Sequence, residues 1–229
     1  MESRIMVIFP VLLIALSVVG FSYAYWTDTL TIDGEVSTGE LDVQFSAQAT
    51  NDPDGENDPK ECGTWTYDGQ QFTWSGDRYD FDVANITCEL VDEDGDPSEG
   101  GSTNDGNEKI TINVENGYPS YYGSVAFTID NIGNIPAKIL SIKLVEVSKD
   151  STTKSVDVDL VACQWVKVDV DDDGENDFEL HLSNLAVGQT IDVGGWLLGD
   201  LCIHILDGAE ENTSYDFTIE IVVGQFNAL

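Results

Sequence analysis

Basic side chains are scarce in this sequence. Nine Lys and Arg residues stand against 43 Asp and Glu residues, which gives a formal net charge of -34. Such a surface repels nucleic acid and anionic lipid. It suits cation binding, or solvation in a salty medium that screens the self-repulsion. Hydrophobic residues still make up 41% of the chain, so the acidity is not that of a disordered tail.

Catalytic motifs are also missing. The sequence contains no H-E-x-x-H and no G-x-S-x-G. Its two histidines, His181 and His204, lie in alternating, strand-like segments, which favours structural roles over zinc ligation. With 43 acidic residues, pairs of carboxylates occur everywhere and carry no signal for glycoside hydrolysis. We therefore expect no enzymatic activity.

Long apolar runs are confined to the N-terminus. The start MESR is followed by IMVIFPVLLIALSVVGFSYA, which ends in the small-x-small sequence Ser22-Tyr23-Ala24. This pattern predicts a secretory signal peptide over residues 1–24, with export to the cell surface or beyond. The apolar run, at about 20 residues, is longer than most such segments, so an uncleaved membrane anchor is the alternative.

Cysteine is limited to four widely spaced residues without a C-x-x-C pair. In an exported chain this disfavours zinc and favours two disulfides. Of the three pairings, we favour the two that stay within their own regions, Cys62–Cys88 and Cys163–Cys202. Two N-glycosylation sequons also fit export, with the acceptors Asn85 and Asn212.

Beyond residue 24, apolar and polar residues alternate almost everywhere, which indicates strands with one buried and one wet face. No amphipathic helix is apparent. Many short strands of this kind predict an all-β fold, an antiparallel β-sandwich over residues 39–229. The alternating segments are Leu41–Phe45, Ile110–Val114, Val125–Ile129, Leu140–Leu144, Val156–Leu160 and Tyr215–Val223.

Two stretches interrupt the alternation. Residues 47–63 and 92–107 are rich in Asp, Gly, Pro, Asn and Ser, and they predict long acidic surface loops. Between them, Asp68-Gly69 and Ser75-Gly76 predict turns that join short strands carrying Trp65, Tyr67, Phe72 and Trp74. Residues 47–108 are therefore expected to be an elaboration of the sandwich, pinned by Cys62–Cys88.

An amphipathic strand follows the signal peptide directly. Residues 25–38 place apolar side chains on one face, and these are Trp26, Leu30, Ile32 and Val36. The strand either pairs within its own sheet or adds to an open sheet edge of a neighbouring subunit. In the second case donor and acceptor lie at different places on each copy, so the contact is head-to-tail and builds a filament.

The stretch AYWTDTLTIDGEVSTGELDV, residues 24–43, resembles the TasA/camelysin family of biofilm-matrix fibre proteins and its archaeal bundling-pilus and thread-like filament subunits. NGYPSYYGSVAFTIDNIGNIPAKI (116–139) and SYDFTIEIVVGQFNAL (214–229) are similar to further segments of the archaeal members. The resemblance implies a jelly-roll-like sandwich polymerised by donor-strand complementation. The donor is then residues 25–38, with Trp26, Leu30, Ile32 and Val36 filling the groove.

One acidic loop has the spacing of a calcium loop. Asp169, Asp171 and Asp173 occupy positions 1, 3 and 5, Gly174 position 6 and Asp177 position 9, with the Glu175 carbonyl available at position 7. Leu180 stands where the usual bidentate Glu would be, and the flanking segments are strands. The pattern predicts a calcium-binding hairpin loop, or else a solvated acidic turn. Weaker candidates for metal ligands are Asp52, Asp54 and Asp58, and then Asp92, Asp94 and Asp96.

These features lead to one principal expectation. The protein is predicted to be a secreted subunit of an extracellular filament or pilus that serves adhesion and the biofilm matrix. Its partners would be copies of itself, joined head-to-tail, and neighbouring filaments. Nucleic acid is excluded, and the membrane is involved only through the signal segment before cleavage. The alternative is a membrane-anchored, calcium-binding surface adhesin or S-layer-associated domain.

Overall fold

The computed structural model describes residues 10–17, 39–91, 109–149, 152–210 and 213–227. The chain divides into two units, Met1–Thr38 and Gly39–Leu229. In the first unit, residues 10–17 form a helix. Within the part of the chain that is described, no helix has both the length and the hydropathy needed to cross a membrane. The expected donor strand, residues 25–38, lies outside the described residues, as do Asp92, Asp94 and Asp96.

The second unit consists of strands joined by turns and loops. The described strands are β1 (Val43–Thr50), β2 (Thr64–Tyr67), β3 (Phe72–Ser75), β4 (Asn85–Val91), β5 (Lys109–Glu115), β6 (Tyr122–Asn131), β7 (Ala137–Lys149), β8 (Thr152–Asp159), β9 (Trp165–Val168), β10 (Phe178–Ser183), β11 (Thr190–Ile191), β12 (Trp196–Ile205) and β13 (Tyr215–Gln225).

Two large sheets face each other across one apolar core. The five-stranded sheet has the order β1-β6-β12-β10-β9, and the second has the order β11-β7-β13-β5-β4 with β8 also paired to β7. Every pairing in them is antiparallel. Phe178 of β10 meets Phe217 of β13 edge to face across the core, with ring centroids 4.7 Å apart. The prediction of an all-β antiparallel fold is confirmed.

The five-stranded sheet is covered on its outer face as well. Ser124, Ala126 and Thr128 of β6 alternate with core residues, yet they are buried, and so is Asp200 of β12. The cover is the β2–β3 hairpin, from which Trp65 donates a 2.8 Å hydrogen bond through Nε1 to Ser124 Oγ. The expectation of a wet outer face is therefore wrong for these strands, because a distant part of the chain packs onto their small side chains.

The hairpin itself follows the sequence prediction. Tyr67 is paired with Phe72, and the Asp68 carboxylate accepts hydrogen bonds from the N–H groups of Gln70 and Gln71. Gly69 has a φ of 94°, a left-handed conformation that favours glycine over residues with a side chain. The Asp68-Gly69 turn and its two flanking strands are thus confirmed.

The boundaries of the elaboration need correction. β1 continues through Thr50, because the AQAT segment pairs with β6 beyond a bulge at Phe45/Ala47. β4 belongs to the second large sheet, where it pairs with β5. In the described residues the elaboration of the sandwich is therefore 51–84 rather than 47–108.

The disulfide prediction is wrong in its pairing. Cys62 is bonded to Cys202, whereas Cys88 and Cys163 are free thiols, the first buried and the second exposed. Cys88 points into the core from β4, while Cys202 points to the outer face of the five-stranded sheet, where the arm carrying Cys62 lies. Cys88, the cysteine nearest to Cys62 in the sequence, therefore lies in the core, away from the outer face where Cys62 is bonded.

Candidate functional site: an open groove and an acidic loop

Among the described strands, only half of one edge of the last strand, β13, is paired. β13 pairs with β7 from Tyr215 to Gln225, but its pairing with β5 ends at Thr218. Within the described residues, Ile219–Gln225 has no strand on that second side. Unpaired N–H and C=O groups along a strand edge form a template for another strand.

An apolar groove lies beside this half-edge. Its cavity has a volume of about 310 Å³ and is lined mainly by apolar side chains from β13, from β6, and from β1 and the segment that enters it. Ile221 and Val223 face the groove, whereas Val222 between them faces the solvent. The lining residues are Leu41, Val43, Gln44, Phe45, Ile129, Ile221 and Val223.

The chain enters the domain next to this groove. Glu40 donates its N–H to Asn134 Oδ1 at 2.7 Å, and the Asn134 N–H donates back to the Glu40 carbonyl at 3.0 Å. Gly133 packs so closely that an added Cβ would lie 2.6 Å from the Glu40 carbonyl oxygen. These contacts fix Glu40 against the segment that joins β6 to β7.

The predicted calcium loop joins β9 to β10 and brings three carboxylates together. One oxygen each of Asp169, Asp171 and Asp177 lies within 4.8 Å of the others, a spacing that suits a bound metal ion. Asp177 is buried, and its Oδ2 accepts a 2.6 Å hydrogen bond from the Val170 N–H. Burial raises the pKa of Asp177 above its usual value, and the charges of Asp171 and Asp169 add to that shift.

The triad is narrower than the predicted ligand set. Asp173 caps the backbone instead, since its Oδ1 accepts the N–H of Glu175 at 2.8 Å. Asp169 accepts the N–H groups of Asp172 and Gly174 through its two oxygens, which shapes the loop around it. The Asp173 and Glu175 carboxylates are exposed and lie outside the converging group, while the predicted role of the Glu175 backbone carbonyl stays a prediction.

Two lysines of the neighbouring sheet reach this loop, and the sequence pattern did not indicate them. Lys149 Nζ lies 3.2 Å from Asp171 Oδ2 and 2.9 Å from Glu210 Oε1. Its hydrogen bond to Glu210 is the largest contribution to a raised pKa of the Lys149 ammonium group. Lys154 Nζ lies 2.7 Å from Asp172 Oδ1. Part of the loop's negative charge is thus balanced by protein cations.

The weaker candidate site has a different construction. Asp52 and Asp58 are fully buried, whereas Asp54 is exposed, and the described residues do not bring the three carboxylates together. Asp52 Oδ2 accepts the Tyr121 hydroxyl at 2.8 Å, and its Oδ1 lies 3.6 Å from Arg78 Nη1. Burial, with the charge of Asp58 adding to it, raises the pKa of Asp52 to about 7.

The glycosylation candidates fall in two different situations. Asn85 is the first residue of β4, and its Oδ1 is buried without a hydrogen-bond partner. Asn212 lies outside the described residues. Modification of Asn85 would therefore have to occur on a chain in which β4 is still accessible.

No protein-family model, no curated protein and no solved structure matches this chain. The resemblance to fibre-forming proteins described above therefore stays a prediction from three sequence segments.

Proposed function

We propose that this protein is a structural subunit of an extracellular filament or pilus that serves adhesion and the biofilm matrix. Subunits assemble head-to-tail when residues 25–38 of one copy enter the groove of the next as a donor strand. The observation that carries the proposal is the half-used edge of β13 beside an apolar groove. A jelly-roll type of sandwich accommodates such an added strand without disturbing its own pairs.

The donor and the groove are complementary in length and in pattern. Leu30–Val36 has the same length as the bare segment Ile219–Gln225. A strand added there gains main-chain hydrogen bonds from β13 and buries every second side chain. Leu30, Ile32 and Val36 supply apolar side chains at that period, and Trp26 extends the same face.

Secretion is supported by two independent features. The Cys62–Cys202 disulfide is stable in an oxidising compartment rather than in the cytosol. The small-x-small sequence at Ser22–Ala24 supplies a cleavage site that frees the donor segment behind it. A cleaved N-terminus at Tyr25 separates the filament subunit from the alternative of a membrane-anchored adhesin, and N-terminal sequencing measures it directly.

We infer that the triad of Asp169, Asp171 and Asp177 binds calcium at the β9–β10 tip. The three carboxylates repel one another, and a divalent cation removes that repulsion. Calcium accepts oxygen ligands in flexible geometries, so the remaining positions can be filled by backbone carbonyls and water. The ion would stiffen an exposed hairpin tip and has no catalytic role.

Point substitutions in the groove provide the test of assembly. Ile221→Asp places a charge in the groove, whereas Val222→Asp places the same charge one residue away on the solvent face. We expect negative-stain electron microscopy to show filaments for the full chain and for Val222→Asp, and only single subunits for Ile221→Asp. A synthetic peptide of residues 25–38 should bind Ile221→Asp less well than the Val222→Asp control.

Deletion of residues 25–38 provides the complementary test. We expect this variant to remain folded, by circular dichroism, and to form no filaments at any concentration. Filaments that persist after the deletion would disprove donor-strand assembly. A full-length protein that stays monomeric and protects residues 25–38 from proteolysis would show instead that each copy fills its own groove.

A further inference from the structure

The outer face of the five-stranded sheet carries an aromatic surface that assembly through the groove does not use. The β2–β3 hairpin covers β6 and β12 near Ser124, but no described segment covers β9, β10 and the ends of β12 and β6. The strand register sets two adjacent rows on this face. We call the following residues the aromatic platform: Tyr122, Trp165, Lys167, Glu179, His181 and His204.

Four rings of the platform touch one another. Tyr122 and His204 are stacked with centroids 3.9 Å apart and planes 8° from parallel. Trp165 lies 4.9 Å from the His181 ring and 6.2 Å from the His204 ring. Trp165 is on the edge strand β9 and is 43% exposed. The rings therefore form a continuous band across four strands, about 14 Å wide at the usual strand spacing.

Hydrogen-bonding groups are interspersed with the rings. His204 Nδ1 is 2.9 Å from Glu179 Oε1, and His181 Nδ1 is 3.1 Å from Ser183 Oγ. These contacts hold both imidazole rings in place and leave Nε2 of each as the remaining polar atom. Desolvation lowers the pKa of His181, which favours its neutral form. Because Tyr122 and His204 are stacked, each covers a face of the other, and the exposed aromatic surface of the band is mainly that of Trp165, with these fixed donors and acceptors beside it.

The geometry points to a binding surface for a neutral polysaccharide. A sugar ring presents an apolar C–H face and a rim of hydroxyls, and an exposed aromatic side chain such as Trp165 with polar groups beside it suits both. The platform carries one Lys167 and one Glu179, so it has no excess charge of its own, while the whole chain carries -34. A polyanion or a second copy of the chain would meet repulsion without compensation, and a neutral glycan chain would not.

A matched pair of tryptophans makes the inference testable. Trp165 and Trp196 are both 43% exposed, but Trp196 packs against Tyr67 at the other end of the sheet, away from the platform. Affinity gel electrophoresis of the full chain would use a soluble neutral glucan, a soluble neutral mannan and alginate as the polyanion. We expect one neutral polysaccharide to retard the protein, Trp165→Ala to weaken this about tenfold, and Trp196→Ala to leave it unchanged.

Two further measurements separate binding from folding and from self-association. Trp165→Phe keeps an aromatic ring and should retain part of the retardation, and circular dichroism should show all three variants folded. The inference is overturned if neither neutral polysaccharide retards the protein, if alginate does so equally, or if both alanine variants lose binding alike. Sedimentation that reveals a dimer abolished by Trp165→Ala would assign the platform to a second copy instead.

Discussion

Residues 54–58 and residues 173–177 have the same sequence, Asp-Gly-Glu-Asn-Asp, in two unlike places. In both, the glycine has a left-handed φ, 89° at Gly55 and 93° at Gly174. In both, the last aspartate is buried and accepts a backbone N–H, from Val83 at Asp58 and from Val170 at Asp177. The two copies therefore share the conformation of the glycine and the anchoring of the last aspartate.

The two loops differ in the direction of the carboxylate that lies two residues before the shared pentapeptide. Asp52 is turned inward, where it meets Tyr121 and Arg78. Its counterpart Asp171 is turned outward, towards Lys149 and the other carboxylates of the triad. The first loop locks a covering arm onto the sheet, while the second presents negative charge. Packing around a turn, rather than the turn's sequence, decides which of these two roles it takes.

Removal of the Cys62–Cys202 disulfide should lower the stability of the protein more than any other change. Cys62 and Cys202 are 140 residues apart in the sequence, so their bond removes much conformational freedom from the unfolded chain. We expect the double substitution Cys62→Ser with Cys202→Ser to lower the free energy of unfolding by about 4–5 kcal/mol in urea titrations. The control, Cys163→Ser, removes an exposed free thiol and should leave stability unchanged. A small loss in the double variant would mean that the hairpin is held by packing alone.

The two aspartates of residues 54–58 should differ sharply in how much they contribute to stability. Asp58→Ala removes the buried carboxylate that accepts the N–H groups of Val83 and Ala84, and we expect a loss of about 2–4 kcal/mol in the free energy of unfolding. Asp54→Ala alters an exposed residue of the same turn and should cost less than about 0.5 kcal/mol. Equal effects in chemical denaturation would contradict the assignment of Asp58 as the anchoring residue.

Calcium should stabilise the protein only through the loop of residues 169–177. At calcium concentrations about 100-fold above the dissociation constant, binding would stabilise the fold by about 2.7 kcal/mol, which calorimetry would record as a higher melting temperature. Asp169→Asn with Asp171→Asn should abolish this increase. Asp173→Asn, which lies outside the triad, should preserve it, as should Asp52→Asn. A melting temperature that is the same in calcium and in chelator would make the second loop a solvated turn.

The smallest expected change in stability is the pH dependence that Asp52 causes. The pKa of Asp52 is about 7 in the fold against 3.8 for an ordinary aspartate, so the folded state keeps a proton that the unfolded chain has lost. The stability from this group is full below pH 3.8 and is lost as the pH rises through 7. We expect stability to fall more steeply between pH 5.5 and pH 7 in the native chain than in Asp52→Asn, by about 1–2 kcal/mol over the window. Parallel curves would show that Asp52 is ionised throughout.

The alternation of apolar residues was sufficient to predict the strands and the all-β class, because each strand buries one face in the core. It was insufficient for β6 and β12, since the small outward residues Ser124 and Ala126 look the same whether water or a hairpin covers them. The disulfide failed for a related reason: proximity in sequence says nothing about which face of which sheet a cysteine occupies. Spacing predicted the triad's members Asp169, Asp171 and Asp177, but not the lysines that neighbour them.

The long reach of the disulfide also raises the question of how Cys62 avoids the wrong partner during folding. Cys62 precedes Cys202 by 140 residues in the chain, and the next thiol along the sequence is Cys88. Burial raises the pKa of the Cys88 thiol to about 12 once β4 is packed, which suppresses its thiolate and its capacity for exchange. Packing of β4 therefore removes Cys88 from competition for Cys62, so the core of the sandwich protects the covalent attachment of its outer cover.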